Sequence, residues 1–248
     1  MRVALAVISC LGLIFVLSGE ALAQATSLRD LIPEGDGTAS GRILQLIAVI
    51  TVLSVAPGLL IMVTCFTRFI IALSFLRAGL GLQTTPANLV MVSLALFMTF
   101  YVMAPVFDRA WVEGIKPLME NQIEEEEAYT KITEPFKTFM RTHVREKDLR
   151  MFEELAGVQP PPQDTDAEIE LRVLIPAFMI SELRRGFEIG FLITLPFLVI
   201  DMIVATLIMS MGMMMLPPSI ISLPFKVLFF VLIDGWNLLV GGLIRSFL

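Results

Sequence analysis

Three ionisable side chains stand inside the apolar final quarter of this 248-residue sequence: Asp201, Lys226 and Asp234. A charge placed in hydrocarbon is costly enough that such residues face a partner, a water-filled path or one another. Lys226, Asp234, Asn237 and Gly241 fall near one face of a single helix read over Phe225–Phe247, with Phe230 among them, so that face does not look at lipid. Two chemistries fit: ion pairing that staples helices or subunits, or a proton relay or ion pathway. Arg68 and Arg77 form a second set of charges, bracketing a segment without acidic residues between two apolar runs.

Between Asp201 and Lys226 runs Met209-Ser210-Met211-Gly212-Met213-Met214-Met215-Leu216-Pro217-Pro218, with five methionines in seven positions. Methionine is unbranched and polarisable, and it repacks around variable shapes. In one subunit the run reads as hydrophobic filler at a hairpin tip. Around an axis shared by several copies it reads as a deformable apolar ring, which excludes water and ions when empty. Composition does not choose between these two.

Signals for catalysis are missing from the sequence. There is no Gly-rich phosphate loop and no metal-ligand spacing, and no Ser or Cys lies near a candidate base. His143 is the only histidine, which excludes a multi-histidine metal site and the usual His-dependent triads. The reading is a protein without catalytic residues, metal or cofactor. The cysteines are Cys10 and Cys65, and removal of the first would leave one thiol. No long basic stripe offers an electrostatic footprint for nucleic acid.

The elements that must position these residues are apolar and long. Hydrophobic residues make up 56% of the chain and charged residues 17%, with a mean hydropathy of +0.81, as in membrane proteins. Residues 1–23 read as a cleaved signal peptide: Arg2, an apolar Val3–Leu17 core, then Ala21-Leu22-Ala23 before Gln24. An uncleaved anchor is the alternative. A lipoprotein reading at Cys10 fails, because too few apolar residues precede it. Cleavage between Ala23 and Gln24 places the new N-terminus outside the bacterial inner membrane.

Residues 24–42 are a polar lead-in. A first hydrophobic hairpin spans 43–106: an apolar run Ile43–Val63 interrupted at Pro57-Gly58, a turn through Gly79, Gly81 and Thr84-Thr85-Pro86, and a second run Leu89–Val106. The Arg68–Arg77 loop then faces the cytoplasm, as the positive-inside rule prefers. Residues 107–186 are the hydrophilic block and hold the acidic surplus. They predict a small helical domain, with Thr133 as N-cap, Pro135 in the first turn and Gly157 with Pro160-Pro161-Pro162 as the stop. Glu124–Glu127 reads as a solvated face or loop, with partner recognition as the lesser alternative. A second hairpin spans 187–248, with helices over Phe187–Met215 and Phe225–Phe247. The expected fold class is an all-α membrane protein: two long, kinked helical hairpins flanking a small helical extracytoplasmic domain.

Several segments carry a family resemblance. They are Phe66-Thr67-Arg68-Phe69-Ile70-Ile71, Leu76-Arg77, Leu82-Gln83-Thr84-Thr85-Pro86-Ala87-Asn88 and Tyr101-Val102-Met103-Ala104-Pro105. Ile175-Pro176-Ala177-Phe178, Ser181-Glu182-Leu183, the run Met209–Pro218, Leu223-Pro224-Phe225-Lys226 and Asp234-Gly235-Trp236 complete the set. Together they resemble the FliP/SctR family of type III export apparatus proteins over nearly all of the chain after residue 23. The signal peptide and the long acidic block favour its flagellar branch.

The resemblance implies a pentameric ring of this chain with FliQ and FliR in an export gate at the flagellar basal body of the inner membrane, beside FlhA and FlhB. Unfolded flagellar subunits would pass along the axis. It gives Met209, Met211, Met213, Met214 and Met215 the role of a gasket. It also implies that the hairpins build a cone rising above the membrane plane, so that the apolar runs need not all face lipid. The competing reading is a secondary transporter or proton channel built on Asp201, Lys226 and Asp234.

Overall fold

The computed structural model describes Ile47, Ile50, Thr51, Ser54, Val55, Gly58 and residues 61–157, 169–212 and 217–247. The chain divides into two compact units, Met1–Pro57 and Gly58–Leu248. In the first unit, Ile47, Ile50, Thr51, Ser54 and Val55 are helical, and the Thr51 hydroxyl donates to the Ile47 carbonyl. The signal peptide with Ala23 and Gln24, the lead-in, Pro57 and Pro160–Pro162 lie outside the described residues. So does most of the first arm of the expected 43–106 hairpin.

The second unit is helical throughout its described elements. Helix α1 (Phe66–Leu80) closes on Gly81, whose φ of 77° is the left-handed conformation that ends helices without steric cost. Arg68 and Arg77 therefore stand on a helix, not in the expected loop. An unbroken run of apolar and helix-tolerant residues carries the turn pattern through both arginines. Helix α2 (Asn88–Arg109) contains Pro105 and passes into a π-helical turn, Ala110–Ile115, and a short helix α3 (Lys116–Met119). Inside that wide turn Gly114 meets Ile132 so closely that a Cβ would overlap its side chain.

Helix α4 (Glu125–His143) begins eight residues before the expected Thr133 cap, and Pro135 lies in its interior. Its first turn is Glu125, Glu126 and Glu127, where negative charge complements the helix N-terminus. The Lys131 ammonium pairs with Glu127 at 2.7 Å, one turn on. The helix expected from Thr133 to the stop at Gly157 is divided by extended backbone at Val144 and Arg145. A separate helix α5 (Glu146–Ala156) follows and ends on left-handed Gly157.

Helix α6 (Leu171–Ser210) has 40 residues and starts at Leu171, not at the expected Phe187. Polarity changes near Phe187, but the backbone does not: Glu182, Arg184, Arg185 and Glu188 ride on the same helix. At 1.5 Å per residue α6 is roughly 60 Å long, twice the ~30 Å hydrocarbon layer. The helix expected over Phe225–Phe247 is two: α7 (Pro218–Leu232) and α8 (Gly235–Arg245), bent by 64°. The break is Asp234, whose φ of 51° and ψ of 51° take the chain out of the right-handed helix.

The core lies where α1 crosses α6, with Phe69, Leu73 and Leu76 of α1 against Phe178 and Phe197 of α6, and Met98 of α2 closing one side. Contacts along the crossing rise in step: Arg68 with Glu182, Ile71 with Gly186, Phe75 with Gly190, Gly79 with Thr194 and Phe197. The two helices therefore run parallel. Their close approach rests on three glycines, since a Cβ on Gly190 would stand 2.6 Å from the Phe75 ring. Among the described residues, Asn88–Met119 and Leu171–Ser210 are long and apolar enough to cross a membrane. The bent pair α7–α8 makes a third if it is one span. Phe97, Phe100, Phe191 and Met202 are exposed on these helices.

Candidate functional site

The α1–α6 crossing is bolted by an ion pair at each end. At the first end, α1 places Arg68 in its first turn, and α6 brings Glu182 opposite. The Arg68 Nε donates to Glu182 Oε2 at 2.9 Å and Nη2 donates to Glu182 Oε1. This two-point fork matches the planar guanidinium to the carboxylate. Both side chains are sealed, at 4% and 0% exposure. The remaining nitrogen, Nη1, donates to the carbonyl and hydroxyl oxygens of Ser246, at 3.1 and 3.0 Å. The Phe247 ring lies 3.6 Å from the guanidinium carbon.

That ring also meets Phe69, Phe139 and His143, with centroids 5.4, 6.0 and 5.1 Å away. The His143 Nδ1 lies 2.8 Å from the Phe139 carbonyl oxygen, which only accepts, so Nδ1 carries a proton. Beside this cluster sits Cys65, which is fully buried, and burial pushes its thiol up to about 12. Next along α6, Ser181 ties the crossing to α5: its hydroxyl lies 2.7 Å from Asp148 Oδ2 and accepts from the Arg145 amide at 3.0 Å.

At the other end, Lys226 of α7 reaches across. Its Nζ donates to Asp201 Oδ2 of α6 at 2.6 Å and to the Gly79 carbonyl at the close of α1, at 3.0 Å. The second carboxylate oxygen accepts from Ser222, one turn before Lys226, at 2.6 Å. Lys226 is 6% exposed and Asp201 36%, so this pair opens on one side. Three helices meet on one ammonium.

The structure thus joins Asp201 to Lys226 but leaves the other expected charges apart. Asp234, expected among the buried charges on the face of Lys226, is exposed at the α7–α8 break, where Asn237 Nδ2 donates to it at 3.2 Å. The bend removes the shared helical face on which that expectation rested. Arg77 is half-buried and donates to Asn88 across the α1–α2 turn. Glu182, Ser222 and Gly79 were not singled out as partners from the residues themselves. For Glu182 a signal existed: an acidic residue beside Ser181 and Leu183, on the apolar approach to a long hydrophobic run.

Met209 and Met211 are exposed at the end of α6, at 58% and 71%, and Gly212 turns the chain with φ of 74°. Met213, Met214 and Met215 lie outside the described residues. Between α6 and α7 lies an open apolar groove of about 580 Å³, lined by Met211 together with Ile203, Leu207, Ile221 and Phe225, among others. Among the described residues no cluster of His, Cys, Asp and Glu is arranged to hold a metal ion.

Comparison with known proteins is unequivocal about kinship. The model of the FliP family matches residues 49–243. The flagellar biosynthetic protein FliP of Rhizobium meliloti strain 1021 is 60% identical over 232 residues, covering 94% of this chain and 95% of that protein. The flagellar biosynthetic protein FliP of Bacillus subtilis strain 168 is 54% identical over 203 residues, 82% of this chain and 91% of that protein. Its counterpart in Caulobacter vibrioides is 53% identical over 214 residues, 85% of this chain and 80% of that protein.

Proposed function

The chain belongs to the FliP family and is a flagellar export apparatus component, and on that premise we propose that it is a pore-forming core subunit of the export gate. Several copies, a pentamer, surround an axis together with FliQ and FliR, beside FlhA and FlhB. The assembly sits in the bacterial inner membrane at the flagellar basal body. Unfolded flagellar subunits pass along the axis. Cleavage between Ala23 and Gln24 sends the new N-terminus outward, and the 107–186 domain faces the periplasm. The length of α6, roughly 60 Å, supports a subunit of which part stands clear of the bilayer.

The observation that carries the pore reading is the methionine turn. Met209 and Met211 stand exposed at the end of a 40-residue helix, and Met211 lines an open apolar groove there. Flexible thioether side chains in this position, repeated around an axis with Met213, Met214 and Met215, form a gasket that closes when dry and gives way to a polypeptide. The ion pair Asp201–Lys226 acts as a staple. Its ammonium donates to a carboxylate and to a main-chain carbonyl at once, which supports helix joining over proton transfer. Arg68, Arg77 and Asp234 serve assembly.

Replacing Met213, Met214 and Met215 together with Ala tests the gasket. The assembled gate is expected to leak ions and small molecules while export continues. An unchanged leak, measured by ion flux or dye entry in cells expressing the variant, removes the gasket from the account.

A further inference from the structure

We propose that α8 is a strap, hinged at Asp234 and latched at its far end by Ser246 and Phe247 onto Arg68. This goes beyond the export reading and does not depend on it. Three observations converge. The hinge is a single left-handed residue at a 64° bend, and Asp is among the few side chains that tolerate that conformation. The strap itself is held along one side: α8 buries Gly235, Leu239 and Leu243 with Val240 and Ile244 packed beside them, rests the Trp236 ring edge-on against Phe230, and turns Leu238 outward.

The latch is dense by contrast. Arg68 Nη1 donates to both Ser246 oxygens, and the Phe247 ring lies against the guanidinium face and among Phe69, Phe139 and His143. Phe247 therefore touches α1 and α4 as well as closing α8. Releasing it strips one edge and one face from a guanidinium whose other edge stays fixed on Glu182. The two hydrogen bonds and the ring contact that opening gives up favour the closed strap. The strap opens as one unit about Asp234, because its residues form one continuous helix and its packing lies on one side of that helix. Opening bares the Arg68 side of the core.

The test is hydrogen exchange by mass spectrometry on the full chain in detergent, comparing wild type with Phe247→Ala. Exchange within Gly235–Arg245 is expected to rise about tenfold, while peptides from Leu73–Leu80 of α1 and Ile193–Ile200 of α6 keep their protection. Unchanged exchange in α8 overturns the latch. An equal rise in all three segments also overturns it, because Phe247 would then be an ordinary core residue. If Phe247→Ala is not recovered folded, Phe247→Leu takes its place, keeping an apolar plug without the ring. A rise of about threefold confined to α8 supports the latch, and no rise overturns it.

Discussion

The two ion pairs sit at opposite ends of the same parallel crossing, yet they are built to different standards. Arg68–Glu182 is dry, forked and backed by a second set of acceptors on Ser246 and a ring on Phe247. Lys226–Asp201 has one direct contact, a supporting hydroxyl from Ser222, and a carboxylate partly open to its surroundings. The difference teaches where loss of a partner is tolerated. A stranded charge is severe in the sealed end and milder wherever its surviving member can find another donor.

Breaking the sealed end has the largest expected effect. Arg68→Leu leaves the Glu182 carboxylate buried without its cation and is expected to lower stability by about 3–5 kcal/mol, read by denaturant titration in detergent. The double variant Arg68→Met with Glu182→Leu is expected to recover most of that loss, because neither charge is then stranded. A double variant no better than the single would mean that the pair does more than satisfy itself.

Between the bolts, Gly190→Val puts a branched side chain where a single Cβ already meets Phe75 at 2.6 Å. Overpacking of this kind is expected to cost about 1–3 kcal/mol in the same titration. A neutral result would show that the glycine contacts do not set the spacing between α1 and α6.

The open end is expected to be asymmetric. Asp201→Ala leaves a buried ammonium with only the Gly79 carbonyl and should cost about 2 kcal/mol, whereas Lys226→Met leaves a half-buried carboxylate still bonded to Ser222 and should cost about 1 kcal/mol. The reverse order would contradict the exposures. In cells, export by these variants is expected to fall in step with assembly. Export lost with assembly intact would return the pair to a proton relay.

The smallest effect is an absence of reaction. Cys65 lies beside the sealed end, and a thiol held near 12 by burial stays protonated at pH 8. Maleimide is therefore expected to leave Cys65 unlabelled in the folded chain and to label it after denaturation. Rapid labelling of the native chain would show that this end is wet.

Much of the fold was legible in residue order. Long apolar runs announced membrane helices, Gly81 and Gly157 marked helix ends, and the methionine run located the turn after α6. These signals are local, and a helix end or an apolar run needs no distant residue to exist. Helix starts were harder. The polar residues before Phe187 and the acidic run before Thr133 looked like boundaries, but a helix N-terminus welcomes Glu125–Glu127, and α6 carries Glu182 because Arg68 meets it. The break at Asp234 was invisible, since Asp at a left-handed position has the same composition as Asp on a helix face.

The sequence by itself determined the family, the helical class, the presence of unusual charges in apolar surroundings and the position of the methionine turn. Only the tertiary structure decided which charges meet: Arg68 with Glu182 across 114 positions and Lys226 with Asp201 across 25, while Asp234 stays apart. The reason is physical. Pairing depends on which helices approach closely enough, and for Arg68 and Glu182 that approach is set by Gly79, Gly186 and Gly190 on two helices far apart in the chain.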